Sequence, residues 1–220
     1  MAKKTTKELS TKEKLQNKVS GFFESNLKLL LIIAAALFVV VLAVVIISSA
    51  TSKAKENAMI RIQELEDQVT GYAGLSDDAK ATLLVDLTAS EKGMGYVSVK
   101  ASYLKGVYYF NEKQWQNAYD SFMASIDKDA ADSYFAPLAL VNAAAAQEEL
   151  GNLDKAVELY TRVTNEFSLS GVGAKALFNT GRIYYQQGKT DLASSVFNQL
   201  VDKYPSSEYS ALAKDITVLM

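Results

Sequence analysis

Leu29 to Ile47 is an unbroken run of nineteen residues without a polar or charged side chain. As a helix it covers about 28 Å, close to the hydrocarbon thickness of a bilayer. It holds no Pro or Gly, so its backbone can satisfy its own hydrogen bonds throughout. A buried helix of a soluble domain is usually apolar along one stripe, whereas this one is apolar all round. A cleaved signal peptide is the other alternative, with small residues at Ser48-Ser49-Ala50 for a peptidase. Against it, the run exceeds the usual apolar region of such peptides and the segment before it is long. The favoured expectation is an uncleaved signal anchor spanning the membrane once.

Residues 1–28 carry seven lysines against three glutamates, a balance of +4, while the whole chain carries −2. Lys and Arg are retained on the cytoplasmic side, which predicts an N-terminus inside and an acidic C-terminal part outside. In a bacterium this is an inner-membrane protein with a periplasmic domain. The chain has no Cys, so neither disulfides nor a lipoprotein anchor are expected. It has no His, which removes the commonest general base and the usual zinc ligand. The acidic part lacks the clustered Lys and Arg that nucleic acid needs, and no cofactor is expected. These exclusions weigh against an enzyme.

The polar residues 1–20 have little to bury and are expected to be disordered or transiently helical. Phe22 and Phe23 suit the headgroup level. Beyond the span, Lys53 to Val69 reads as a continuing helix. On it Ile62, Leu65, Val69 and Tyr72 form one stripe, suited to a short coiled coil or, by default, to packing on the following domain. Gly71 and Gly74 bracket a break. Ser76 then caps a helix that runs to about Glu91, and Gly93-Met94-Gly95 ends it. Four regions follow: a basic tail 1–28, the span 29–47, juxtamembrane helices 48–95 and a repeat region 96–220.

The repeat is visible as spacing. Gly106-x2-Tyr109 and Ala118-x3-Phe122 align with Gly181-x2-Tyr184 and Ala193-x3-Phe197, and Ala144, Ala156 and Tyr160 supply a middle copy in phase. A turn lies between the two halves of each copy, at Asn111-Glu112-Lys113, Gly151-Asn152 and Gly188-Lys189. Small residues on both helices let an antiparallel pair approach closely while aromatics fill the space between pairs. The pattern resembles the tetratricopeptide repeat, with Leu177, Gly181, Tyr184, Gly188, Ala193, Phe197 and Pro205 at signature positions. The copies are three or four residues longer than that repeat, an excess assigned to the links Ala130 to Ser133 and Ser168 to Gly173. Thr180 replaces the usual Leu. The expected fold is all-α: a transmembrane helix, a helical-hairpin solenoid of about three repeats and a capping helix over Ser206 to Leu219.

A basic tail, one signal anchor and an acidic repeat domain is also similar to the periplasmic ancillary subunit of the SecYEG translocon. The run Phe197 to Tyr209 resembles repeats of the periplasmic coordinator of the Tol-Pal system and of the outer-membrane assembly lipoprotein, which lack this anchor. These likenesses imply translocon or envelope-assembly partners.

Three motifs fail on inspection. Gly188-Lys189-Thr190 ends like a phosphate loop, but position 183 is Ile and a helix precedes it. Asp127, Asp129 and Asp132 suggest a calcium loop without its central Gly or its terminal Glu. Glu148 and Glu149 are adjacent on a helix and diverge. Trp115 reads as a packing residue.

What remains is the concave face that first helices form in the tetratricopeptide family. The alignment places Tyr103, Val107, Phe110, Leu138, Val141, Ala145, Lys175, Phe178, Arg182 and Tyr185 on it. The family's carboxylate clamp does not carry over, because Tyr103 and Val107 stand where it has Lys and Asn. Either this face is an open groove for an extended peptide or partner helix, or the juxtamembrane helix and the hairpins cover it. Two functions are expected: a membrane-tethered, chaperone-like module that captures exported polypeptides or a partner subunit, or a homo-oligomeric envelope scaffold joined through the span and the Ile62 to Tyr72 stripe.

Overall fold

A computed structural model describes residues 11–93, 95–127, 134–168 and 171–220, and among these there is no strand. The helices are α1 (Thr11–Thr70), α2 (Asp77–Ser90), α3 (Tyr96–Asn111), α4 (Trp115–Asp127), α5 (Phe135–Glu149), α6 (Leu153–Glu166), α7 (Gly173–Gln186), α8 (Thr190–Lys203) and α9 (Glu208–Val218), with a 3-10 turn at Tyr72–Gly74. The all-α solenoid expected from the sequence is what the chain forms. The link at Ala130 to Ser133, the aspartates Asp129 and Asp132, Met94 and positions 169–170 lie outside the described residues.

The chain divides into two compact units, 1–56 and 57–220, with the division inside α1. In the first unit α1 carries a window of eighteen residues with mean hydropathy 3.6, none of it buried, long and apolar enough to cross a membrane. Residues 11–20, expected to be disordered or transiently helical, form the start of α1. They contain no Gly or Pro and are rich in Lys, Glu, Gln and Leu, so the helix that the apolar run nucleates can propagate through them.

In the second unit, α3/α4, α5/α6 and α7/α8 are hairpins, and α4 packs on α5, α6 on α7, and α8 on α9. The first helices also touch across repeats, α3 with α5, and α7 with the capping helix α9. The three hairpin turns share one geometry. Gly188 N–H donates to Tyr185 O at 3.0 Å and Lys189 N–H to Tyr184 O at 2.9 Å, a Schellman closure in which Gly188 takes φ +72°. Gly151 and Asn152 repeat it on Glu148 and Gln147, as do Lys113 and Gln114 on Phe110 and Tyr109. The phosphate-loop look-alike is therefore a helix turn.

Small residues close the hairpins as the spacing implied. A Cβ on Gly106 would lie 2.5 Å from Phe122 Cδ1, and one on Gly181 would lie 2.5 Å from Phe197 Cε1. In the middle copy Ala144 and Ala156 are fully buried and Tyr160 fills the gap. Thr180 is accommodated in the core because its hydroxyl donates to Ala176 O at 3.0 Å. Trp115 is only half-buried, stacked edge-on against Phe110 at 4.9 Å. Pro137 falls in the first turn of α5, where its missing N–H is no loss.

The juxtamembrane helices share a core with the first repeat. Ile62, Leu65, Val69 and Tyr72 are buried with Leu83 and Leu87 of α2 and with Ala101, Leu104 and Tyr108 of α3. The stripe that a homo-oligomer was expected to use is thus consumed within the chain, where the end of α1 and α2 pack on α3. Ser76 caps α2 as expected, accepting from Ala79 N–H at 3.3 Å. At the other end Ser207 caps α9, and the buried Ser210 hydroxyl donates to Tyr204 O at 2.6 Å, tying α9 to the end of α8.

Candidate functional site: the face of the first helices

Helical spacing brings the ten expected groove residues onto α3, α5 and α7, but their surroundings differ. Tyr185 is exposed, while Leu138, Ala145, Lys175 and Arg182 are half-buried. Val141 is a correction: at 2% exposure it belongs to the core between α5 and its neighbours and presents nothing to a ligand. Phe178 is half-buried, with its ring 6.0 Å from Phe197 and 5.5 Å from Tyr209 of α9, so the capping helix partly covers it.

The α3 residues are also engaged. Val107 packs on the cluster formed by the end of α1 with α2, and lines a shallow pocket with Val69, Tyr72, Lys80 and Asn111. Phe110 faces Trp115. Tyr103 lies between Phe122 at 5.7 Å and Phe135 at 5.3 Å, and its hydroxyl accepts from Asn142 Nδ2 at 3.0 Å. Burial raises the Tyr103 hydroxyl above the ordinary tyrosine value, with the Asn142 hydrogen bond pulling the other way. It is a neutral hydrogen-bonding group at any physiological pH.

The alignment missed an aromatic step at the starts of α3 and α5. Tyr96 and Tyr134 flank Phe135 with centroids 5.6 Å from it on each side, and both tyrosines are exposed. Repeat positions alone did not single them out, because they precede the helical signature. The visible signal was composition: Tyr134-Phe135 directly before a helix and Tyr96 directly after a glycine turn.

Arg182 is not a free cation. It pairs with Glu148 of the preceding repeat, and Glu148 also accepts from the Tyr160 hydroxyl at 2.7 Å. Burial, then the Glu148 charge, pushes the Tyr160 hydroxyl far above its ordinary value. This triad stitches α5, α6 and α7 together, so of the two basic residues placed on the face, Lys175 and Arg182, the second is neutralised within the fold. Glu149, the neighbour of Glu148, points to solvent, which bears out their divergence.

Ion pairs reinforce the closed end of the face. Lys100, 3% exposed, donates to Glu66 at 2.6 Å and to Gln63 at 3.3 Å on α1. Burial alone would lower the Lys100 ammonium, but the Glu66 hydrogen bond and nearby Tyr96 outweigh it and the net shift is upward. Lys105 pairs with Glu91 at 2.6 Å, and Arg61 with Asp86 at 2.5 Å.

Residues 138–170 and 175–207 match the tetratricopeptide repeat family. These stretches cover α5/α6 and α7/α8; the α3/α4 hairpin lies outside both although Gly106 and Phe122 reproduce the contact of Gly181 and Phe197. A TPR repeat-containing protein of Treponema pallidum (strain Nichols) is 28% identical over 151 residues, covering 67% of this chain and 62% of that protein. The chain therefore spans less than two thirds of that relative's length. Tetratricopeptide repeats are protein-interaction modules, and no enzyme family is indicated.

Proposed function

We propose that this chain is a membrane-tethered protein-binding module that captures exported polypeptides or a partner subunit on the face of its first helices. The observation that carries it is the conjunction of tetratricopeptide repeats with a helix long and apolar enough to cross a membrane. The charge asymmetry around that helix supports a signal anchor with the repeats on the periplasmic side of a bacterial inner membrane. Tethering raises the effective concentration of the binding face at the membrane surface. Val141 is buried, Val107 packs against the end of α1, Phe178 is partly covered by α9 and Arg182 is paired with Glu148, which leaves Leu138, Ala145, Lys175 and Tyr185, bordered by the Tyr96, Tyr103 and Tyr134 aromatics, as the binding face. Partners of the translocon or envelope-assembly kind fit this reading.

Photocrosslinking in living cells tests it. A photoreactive residue at Tyr185, on the open part of the face, is expected to trap protein adducts that one at Glu158 does not. Glu158 sits exposed on α6, paired with Lys155 at 2.7 Å. Equal adducts from both positions, or none from Tyr185, would sink the proposal. Many different adducts would mark a chaperone-like role and a single one a dedicated adaptor. Burial of the Ile62 to Tyr72 stripe removes one of the two surfaces on which a homo-oligomeric scaffold would rest.

A further inference from the structure

The first turns of α1 carry an apolar face that no other described residue of the first unit covers. Leu15, Val19, Phe22 and Phe23 follow the 4,3,1 spacing of one helical stripe, and their exposures run from 50% to 67%. Lys18 borders the stripe on one side with Lys14 next beyond it, and Lys12 stands among Leu15, Val19 and Phe23, where a long stem can rest on apolar surface with its ammonium outward. Asn17 falls on the opposite face. An apolar stripe edged with lysines and backed by polar residues is the arrangement of a helix bedded in a lipid headgroup layer.

Continuity with the span names the occupant. Leu29 begins the apolar run, so Phe22 and Phe23 already stand at headgroup depth if that run crosses the bilayer. Residues 11–19 would rise away from the lipid on a straight helix, and Ser20-Gly21 is the place where α1, continuous from Thr11 to Thr70, is most easily bent. Gly21 is a helix-interior glycine with no atom within 4 Å of where its Cβ would be, and it follows Ser20. Ser20 and Ser25 hydroxyls donate back to Gln16 O at 3.0 Å and Gly21 O at 2.8 Å, contacts that loosen and bend helices.

We infer that residues 11–23 form a second membrane contact: an amphipathic helix, hinged at Ser20-Gly21, that lays Leu15, Val19, Phe22 and Phe23 into an anionic lipid surface beside the span. This rests on the reading of Leu29–Ile47 as a membrane anchor. The lysines supply the charge complementarity to acidic headgroups, and the contact fixes the depth and rotation of the anchor.

The chain's lack of cysteine permits a clean test. Single cysteines at Val19, Asn17 and Phe38 of the full chain are labelled with an environment-sensitive fluorophore. The protein is reconstituted in vesicles of phosphatidylglycerol with phosphatidylcholine, or of phosphatidylcholine alone, carrying shallow or deep nitroxide quenchers. The expected result is deep quenching at position 38 in both lipids. Shallow quenching at position 19 should be several-fold stronger than at 17, in the anionic vesicles. Replacing Lys12, Lys14 and Lys18 with Gln should remove most of the signal at 19. Positions 19 and 17 behaving alike while 38 stays deep would overturn the inference and leave the anchor standing. An unquenched 38 would overturn the anchor and the inference with it. Equal immersion of 19 in neutral vesicles would refute the anionic preference. Concentration-dependent self-quenching at 19 without immersion would assign the stripe to a second copy of the chain and overturn the lipid contact.

Discussion

Gly181 lies beneath the ring of Phe197 so closely that a single added methyl would stand 2.5 Å from Cε1, and Gly106 holds the same relation to Phe122. Backbone on one helix thus packs directly against an aromatic on the other. Gly181→Ala must push the ring out of a fully buried site, and we expect a loss of about 1–3 kcal/mol. Adding Phe197→Leu to that variant should recover part of the loss, because a smaller side chain leaves room for the methyl. Urea unfolding of the 57–220 unit measures both.

The three hairpin turns differ in one respect. Gly151 and Gly188 occupy the left-handed region at φ +77° and +72°, whereas Lys113 occupies it at φ +57° with a full side chain. Left-handed backbone costs an L-residue with a Cβ roughly 1 kcal/mol or more. Lys113→Gly is therefore expected to raise stability by about 0.5–1 kcal/mol, after the extra entropy of the unfolded glycine is counted. Gly188→Lys should lower it by a comparable amount. Melting temperatures moving in the same direction for both would refute the equivalence of the turns.

Lys100 and Glu66 form an asymmetric pair, with side-chain exposures of 4% and 37%. Glu66→Ala leaves a buried ammonium with Gln63 and the Tyr96 ring beside it but no carboxylate, a loss expected at about 1–3 kcal/mol. Lys100→Met removes the buried charge as well and should cost less. The reverse order in denaturant midpoints would show that packing of the lysine stem, rather than the charge, dominates.

The buried Ile62, Leu65, Val69 and Tyr72 make the juxtamembrane helices part of the repeat core. A fragment beginning at Tyr96 would expose Leu104 and Tyr108, each now 3% and 6% accessible. Burying a side chain of that size contributes roughly 1.5–3 kcal/mol. Such a fragment is expected to associate or to melt well below the 57–220 unit, with sedimentation and circular dichroism as readouts. Equal behaviour of the two would show that α1 and α2 are dispensable to the solenoid.

Tyr72 donates to the carboxylate of Glu112, and Lys80 stands 3.5 Å from the same group. The Tyr72 hydrogen bond holds Glu112 below the ordinary glutamate value, opposed by desolvation and helped by Lys80. A carboxylate whose folded value is depressed stabilises the fold above its unfolded value, and that contribution disappears as pH falls through the folded one. Tyr72→Phe should therefore be less stable than the parent at neutral pH, with the gap closing in acid as pH falls below the ordinary glutamate range. A gap that persists in acid would place the effect in packing of the ring instead.

Much was legible before any coordinate. The long apolar helix, the three hairpins with their turns and the Ser76 cap follow from local chemistry: apolar length, small residues at fixed intervals, glycine or polar residues at the turns and a capping hydroxyl. Such features are decided within one helix or one turn, so a linear reading captures them. Periodicity also placed Tyr103, Val107, Leu138, Lys175 and Tyr185 on the first helices.

Tertiary structure decided what covers those residues. Val107 lies against the end of α1, Phe178 lies partly under Tyr209 of α9, and Arg182 is neutralised by Glu148 from the repeat before it. Val141 sinks into the core while Ala145, one turn on, stays partly accessible. Helical spacing fixes the direction in which a side chain leaves its own helix. Its exposure and its charge partner depend on neighbours drawn from distant parts of the chain, and only packing brings those neighbours together.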